Sequence, residues 1–352
     1  LDPAWQLFGA ILEYLTFFRE ETSMMIEELI QRPVPPEASD LHLVEGCAPI
    51  ARLHGALMEL QGPSLSGDLF TTLLYTLLTD DIRETFVRGF DVDGACSLAG
   101  ERWRVHGYTQ RAGRALSLRR IPNLIPDLTG LGLPEGVHRW GSLRSGLVLI
   151  TGPTGSGKST TAASLIDLIN GRDAKHIVTI ENPIEFLHAN RSCLVSQREV
   201  GIHVRSFSDA LRSALREDPD IIFVGEMRDL ETIRLALQAA ETGHLVISTL
   251  HTSSAAKTVA RIVDVFPSEQ QPQIRAILAD TIEGIVAQEL VVNRQGGRSL
   301  VAETLIATPA VRSLIRDGKT YHIEHVIQTS ASVGMRSREA SIRLLREIGL
   351  LD

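Results

Sequence analysis

The chain has 352 residues, 43% of them hydrophobic and 22% charged, with a formal net charge of −8 and a pI near 5.8. That length suits roughly two domains, and the acidic balance excludes a whole-surface attraction to nucleic acid phosphates. No apolar stretch reaches the ~20 residues of a membrane span. Cys47, Cys96 and Cys193 lie far apart with no CxxC pair, which argues against a zinc site. They are expected to be free, buried thiols in a reducing compartment.

In chain order, residues 1–36 read as a helical extension. Glu13, Arg19, Glu20, Glu21, Glu27 and Glu28 are set against Leu, Phe, Met and Ile, and "RPVPPEAS" breaks the run. The apolar segment "WQLFGAILEYLTFF" carries Glu13 and has neither a basic leader nor a small-residue cleavage site, so it does not read as a signal peptide. Residues 37–120 show short alternating runs with glycine turns around a helical stretch at 68–89, the pattern of a small α+β domain. "IPNLIPDLTGLGLP" (121–134) reads as a Pro/Gly-spaced linker. From 135 to 352 an α/β domain is expected. Strand-like "LVLITG", "HIVTIE", "DIIFVGE" and "HLVISTLH" alternate with helical "SLIDLI", "FSDALRSALR" and "LETIRLALQAAE". That alternation implies crossover units and a mostly parallel sheet. Residues 268–290 and 310–352 read as helical.

The segment "LVLITGPTGSGKSTT" holds G-x-x-x-x-G-K-[ST] between an apolar strand and a helix. Its loop, Gly152, Pro153, Thr154, Gly155, Ser156, Gly157, Lys158, Ser159 and Thr160, is expected to cradle the phosphates of ATP. The glycines let backbone N–H groups curl around a phosphate, and the helix N-terminus adds a favourable dipole. Lys158 is expected to reach the β/γ phosphates and Ser159 to ligate Mg²⁺.

Ligands of such sheets sit at the carboxyl ends of the strands. Three further strands end in polar chemistry there: "HIVTIENPIEF" in Glu181 and Glu185, "DIIFVGEMRD" in Glu226, and "HLVISTLHT" in His251. His251 is placed to hydrogen-bond a γ-phosphate. Glu226, preceded by Gly225, is placed to hold Mg²⁺ through water; Glu185 and Glu181 are alternative water-positioning carboxylates.

Long stretches of the chain resemble the type IV pilus retraction ATPases (the PilT, or twitching-motility, family) of the secretion ATPase superfamily. "ASDLHL" resembles the family's N-terminal opening, "TGPTGSGKSTT" its Walker A segment and "TIENPIEF" its aspartate box. "ALREDPDIIFVGEMRDLETIRLALQAAETGHLVISTLHTSSAAKTVARIVDVFP" resembles its Walker B and histidine boxes, "AVRSLIRDGK" its retraction-associated helix and "SVGM" its late Gly-Met element. The resemblance implies a PAS-like N-terminal domain before a RecA-like P-loop ATPase domain, and a homohexamer that hydrolyses ATP with Mg²⁺ to drive pilus retraction. It adds His244 to the nucleotide residues Lys158, Ser159, Glu185, Glu226 and His251. It makes Arg104, Arg111 and Arg119 candidates for contacts made in trans, with Arg216, Arg228 and Arg261 as further ones. The implied partners are an inner-membrane pilus platform protein and other pilus ATPases, at the cytoplasmic face of that membrane. Asn182 stands where the family has Asp. That departure keeps a second reading in view: a weakly hydrolysing or non-hydrolysing accessory ring subunit of a pilus or type II-like secretion machine.

Overall fold

The computed structural model describes residues 34–352 apart from 36, 54, 99–100 and 122–123. The helical reading of 1–32 therefore lies outside the described residues. The chain divides after Asn123 into two compact units.

The first unit is one antiparallel sheet of six strands. In chain order these are β1 (Ala38–Val44), β2 (Ile50–Leu53), β3 (Ala56–Glu59), β4 (Val92–Leu98), β5 (Glu101–Gln110) and β6 (Gly113–Ile121), arranged β3-β2-β1-β6-β5-β4. The run at 68–89 forms two helices, Gly67–Leu77 and Asp80–Val87. Ser66 caps the first by accepting from the Leu69 N–H at 3.3 Å. Phe70, Leu73, Leu74 and Leu77 share one helical stripe and bury against Leu41, Leu43, Trp103, Leu116 and Leu118 of the sheet. The α+β character follows from that one-sided covering.

The second unit is built on a seven-stranded sheet in the order β13-β12-β7-β11-β10-β8-β9. Its strands are β7 (Gly146–Thr151), β8 (His176–Glu181), β9 (Leu194–Glu199), β10 (Ile221–Val224), β11 (Leu245–Leu250), β12 (Ile282–Val292) and β13 (Arg298–Ile306). All neighbours run parallel except β13, which returns antiparallel on β12. Every residue of β7, β10 and β11 is buried. Continuous apolar runs are what a strand covered on both faces requires.

Three expectations change here: the helix over 268–290, the linker over 121–134 and the burial of all three cysteines. The helix begun near 268 ends at Thr281, and Ile282–Val292 is a strand paired with both β7 and β13. Its β-branched residues favour extended backbone, and Gly284 lies flat on the Trp140 ring, where a Cβ would stand 2.2 Å from Cζ2. The C-terminal stretch is three short helices, Pro309–Arg316, Ile323–Thr329 and Arg338–Glu347. The edge strand β9 has two apolar residues followed by four polar ones, so it carries no long apolar run. Of the linker-like stretch, residues from Leu124 belong to the second unit, with Leu128 and Leu133 buried in its core beside Trp140. All three cysteines are free, but only Cys193 is buried; Cys47 is exposed and Cys96 half-buried.

Candidate nucleotide-binding and catalytic site

The P-loop leaves β7 at Thr151 and ends as the helix Lys158–Asn170 begins. Gly152 takes φ +143°, and a Cβ there would stand 2.2 Å from the Gln288 carbonyl oxygen and 2.6 Å from Ser156 Oγ. Only glycine fits that approach of β12 to the loop. Lys158 Nζ donates to the carbonyls of Gly152 and Pro153, both at 2.9 Å, which shapes the loop around its own cation. Burial lowers the Lys158 pKa, against the opposing pull of the Glu226 and Glu185 charges. Ser156 Oγ is buried with no hydrogen-bond partner among the described residues.

Parallel strands bring the ends of β8, β10 and β11 to the same edge of the sheet as the P-loop. Glu226, just past β10, meets His251 Nε2 at 2.9 Å and Arg228 Nε at 2.7 Å, both through Oε1. The loop between them is pinned: Thr249 Oγ1 donates to the Gly225 carbonyl at 2.6 Å, and Met227 N–H donates to Thr249 at 3.2 Å. Asn182 is exposed and precedes a cis Pro183, and Glu185 follows half-buried. Glu185 follows β8 and Glu226 follows β10, so the parallel register brings both to the P-loop end of the sheet, and both charges oppose the lowering of the Lys158 pKa.

Glu181 is different. It is buried, 8% exposed, and both its oxygens are engaged. Oε1 accepts from Thr179 Oγ1 at 2.7 Å and Gln197 Nε2 at 3.2 Å, and Oε2 from the Glu185 N–H at 3.4 Å. Burial pushes its carboxyl up to about 7. Its partners in the fold are Thr179, Gln197 and the Glu185 backbone.

His244 does not join the crevice of its own chain. It precedes β11, and its carbonyl accepts from the N–H of Gly146, the first residue of β7, at 3.0 Å. Its Nδ1 lies 3.0 Å from the Ala239 carbonyl. Six strand residues at ~3.3 Å each put it roughly 20 Å from the P-loop end of the sheet. The seven-residue spacing of His244 and His251 spans a strand, not a site.

The candidate arginines divide by surroundings. In the first unit, Arg104 pairs with Asp93 at 3.8 Å and Arg119 with Asp40 at 2.8 Å, whereas Arg111 is exposed in the β5–β6 turn. In the second, Arg228 is held by Glu226, and Arg216 and Arg261 are exposed.

Two residues without a motif signature also serve the site. Gln288 of β12 abuts Gly152 through its carbonyl and donates from Nε2 to Thr161 Oγ1 at 2.8 Å, tying β12 to the P-loop helix. Glu303 of β13 accepts from the Ala255 N–H at 2.7 Å, fixing the helix start that follows the His251 loop. The sequence pattern reads Gln288 as part of a helix and gives Glu303 no element; only the structure sets both on strands, and nothing in the sequence marks their contacts.

Ser159 is half-exposed at the first turn of the P-loop helix, and the Glu226 side chain is 19% exposed. These hard oxygens, the open cradle at Gly155 and the orphaned Ser156 hydroxyl suit a Mg²⁺-bound triphosphate.

Residues 24–345 match the family described as type II/IV secretion system protein. A Pseudomonas aeruginosa relative, named type IV pilus retractation ATPase PilT, is 45% identical over 94% of this chain and 96% of its own. A Neisseria gonorrhoeae relative, named twitching motility protein, is 44% identical over 87% of this chain and 82% of its own. A solved structure of the pilus retraction motor PilT with bound ADP superposes with a TM-score of 0.85 at 43% identity, covering 94% of both chains. This chain belongs to the type II/IV secretion system protein family and, within it, to the pilus retraction ATPases.

Proposed function

We propose that the chain hydrolyses ATP as the subunit of a hexameric motor that retracts type IV pili. The observation that carries the reading is the convergence of Lys158, Glu226 and His251 on one P-loop crevice. Lys158, whose Nζ is held by the loop carbonyls, is placed to neutralise β/γ phosphate charge. Ser159 directly and Glu226 through water would hold Mg²⁺, which supplies charge neutralisation at the phosphates when bound. His251, hydrogen-bonded to Glu226, links the γ-phosphate position to the end of β11. Glu185 and Glu226 are the carboxylates placed to orient the attacking water.

An arginine from a neighbouring subunit would complete the site. Arg111, exposed at a hairpin tip, is the most available of the three in the first unit. The first unit, an antiparallel sheet with two helices, is the candidate for the PAS-like domain that the resemblance implies. The motor would act with an inner-membrane platform protein and other pilus ATPases, peripherally at the cytoplasmic face. Among the described residues no helix is long and apolar enough to cross a membrane. The assembled Lys158, Glu226 and His251 favour a hydrolysing motor over an accessory subunit, despite Asn182.

Steady-state phosphate release tests this reading. The wild type is expected to turn over ATP, and Lys158→Ala to abolish turnover because the phosphates lose their point charge. Wild-type release from Lys158→Ala would refute the site.

A further inference from the structure

The loop at residues 182–188 carries Glu185 and has no regular secondary structure. Four of its backbone groups are nonetheless held, each by a side chain. Ile184 N–H donates to Glu199 Oε2 at 3.0 Å, Glu185 N–H to Glu181 Oε2 at 3.4 Å, and His188 N–H to Gln197 Oε1 at 2.8 Å. The Phe186 carbonyl accepts from Gln197 Nε2 at 2.8 Å. Gln197 therefore spans the loop on both sides of Leu187. Its second Nε2 hydrogen goes to Glu181 Oε1 at 3.2 Å, the same carboxyl whose other oxygen takes the Glu185 N–H.

All three polar positions of the amide are engaged, and each neighbour requires the atom it meets: two acceptors face the nitrogen and one donor faces the oxygen. A carboxylate, an alcohol or an apolar side chain at 197 cannot reproduce that set. Gln197 sits on β9, an edge strand paired with β8 in parallel, and its partner in that register is Thr179, itself a donor to Glu181. One short ladder thus fixes the clasp.

We infer that Gln197 is a positioning residue for ATP hydrolysis: by clasping the 182–188 loop to the Glu181 side chain, it holds Glu185 at the nucleotide crevice. Gln197 acts through Glu185 and touches neither nucleotide nor metal. The inference rests on the proposed role of Glu185 in turnover. The P-loop follows β7 and is not among the groups Gln197 holds, so nucleotide binding and turnover should separate.

The test is a double-mutant cycle on the full chain with ATP, reading kcat and KM. Gln197→Met is expected to lower kcat about 10-fold or more while KM stays within about 2-fold. In a Glu185→Gln background the same change is expected to alter kcat by less than about 2-fold, because the group it positions is already disabled. Gln197→Glu keeps the volume and the acceptor for His188 but sets a carboxylate against Glu181. It should lose kcat in the same manner, and it carries the cycle if Gln197→Met fails to fold. Equal losses in both backgrounds, or wild-type kcat in both Gln197 variants, would overturn the inference while leaving Glu185 in its role. Wild-type turnover of Glu185→Gln alone would remove the reading beneath it and the inference with it.

Discussion

Glu226 Oε1 meets the Arg228 guanidinium and the His251 ring at once, at 2.7 and 2.9 Å. Both contacts fall on one oxygen, so the carboxylate is held through Oε1 while Oε2 keeps lone pairs that can accept a proton from water. Replacing it with Gln keeps the shape and an acceptor oxygen while removing the charge. Glu226→Gln and Glu185→Gln are each expected to bind ATP and to slow turnover, by roughly 10²-fold or more for whichever acts as base. Nucleotide affinity measured beside phosphate release checks this, and normal hydrolysis in both variants would mean that another group positions the water. Glu181 predicts a pH effect on stability instead. Burial lifts its carboxyl to about 7 from the usual 4.5. Below about pH 4.5 it is neutral folded and unfolded, and its environment costs nothing. As pH rises from there to about 7 the unfolded chain ionises first, so stability falls by up to about 1.4 kcal/mol per unit, then levels off. Urea midpoints measured from pH 4.5 to 8 should fall less steeply for Glu181→Gln than for the wild type. Parallel slopes would show that Glu181 ionises normally.

At the scale of elements, β12 does the most beyond its sequence signal. Its Gly284 admits the Trp140 ring, its first half pairs with β7, and its Gln288 closes on Gly152. Gly284→Val would drive side-chain atoms into Trp140, and overpacking of this kind costs about 1–3 kcal/mol. Because the same strand abuts the P-loop, nucleotide affinity should weaken alongside thermal stability. Gly297→Ala, with only Asn293 side-chain atoms nearby and none closer than 3.5 Å, serves as the control. Unchanged affinity in a destabilised Gly284→Val protein would uncouple β12 from the loop.

At the scale of the whole molecule, a site completed by a neighbour's arginine has no full activity in a lone subunit. Turnover per subunit is expected to rise with protein concentration as rings assemble. An arginine supplied in trans contributes roughly 10³–10⁵ in rate in related phosphoryl-transfer systems. Mixing Lys158→Ala with Arg111→Ala subunits then separates the cases. If Arg111 acts across the interface, some junctions pair an intact lysine with an intact arginine, and activity partly returns. No recovery at any ratio, in rings verified as mixed, would sink the trans assignment for Arg111.

The P-loop and its converging strand ends were readable in the sequence because their signals are local. A Gly-rich loop needs particular residues at fixed spacing, and strands buried on both faces must be continuously apolar. That Glu226 and His251 reach one edge followed from parallel strands; their direct contact at 2.9 Å did not. What the chain order could not convey depends on contacts made across the fold. His244 and His251 look alike along the chain, but a strand's length separates them. Residues 268–290 read as one helix, and pairing with β7 and contact with the Trp140 ring make Ile282–Val292 a strand. Gln197 and Gln288 carry no strand signal in the sequence, and only the packing of β9 on β8 and of β12 on the P-loop turns their amides toward the site. Hydrophobic patterning reports which face is buried; which buried polar groups meet is decided by tertiary distance alone.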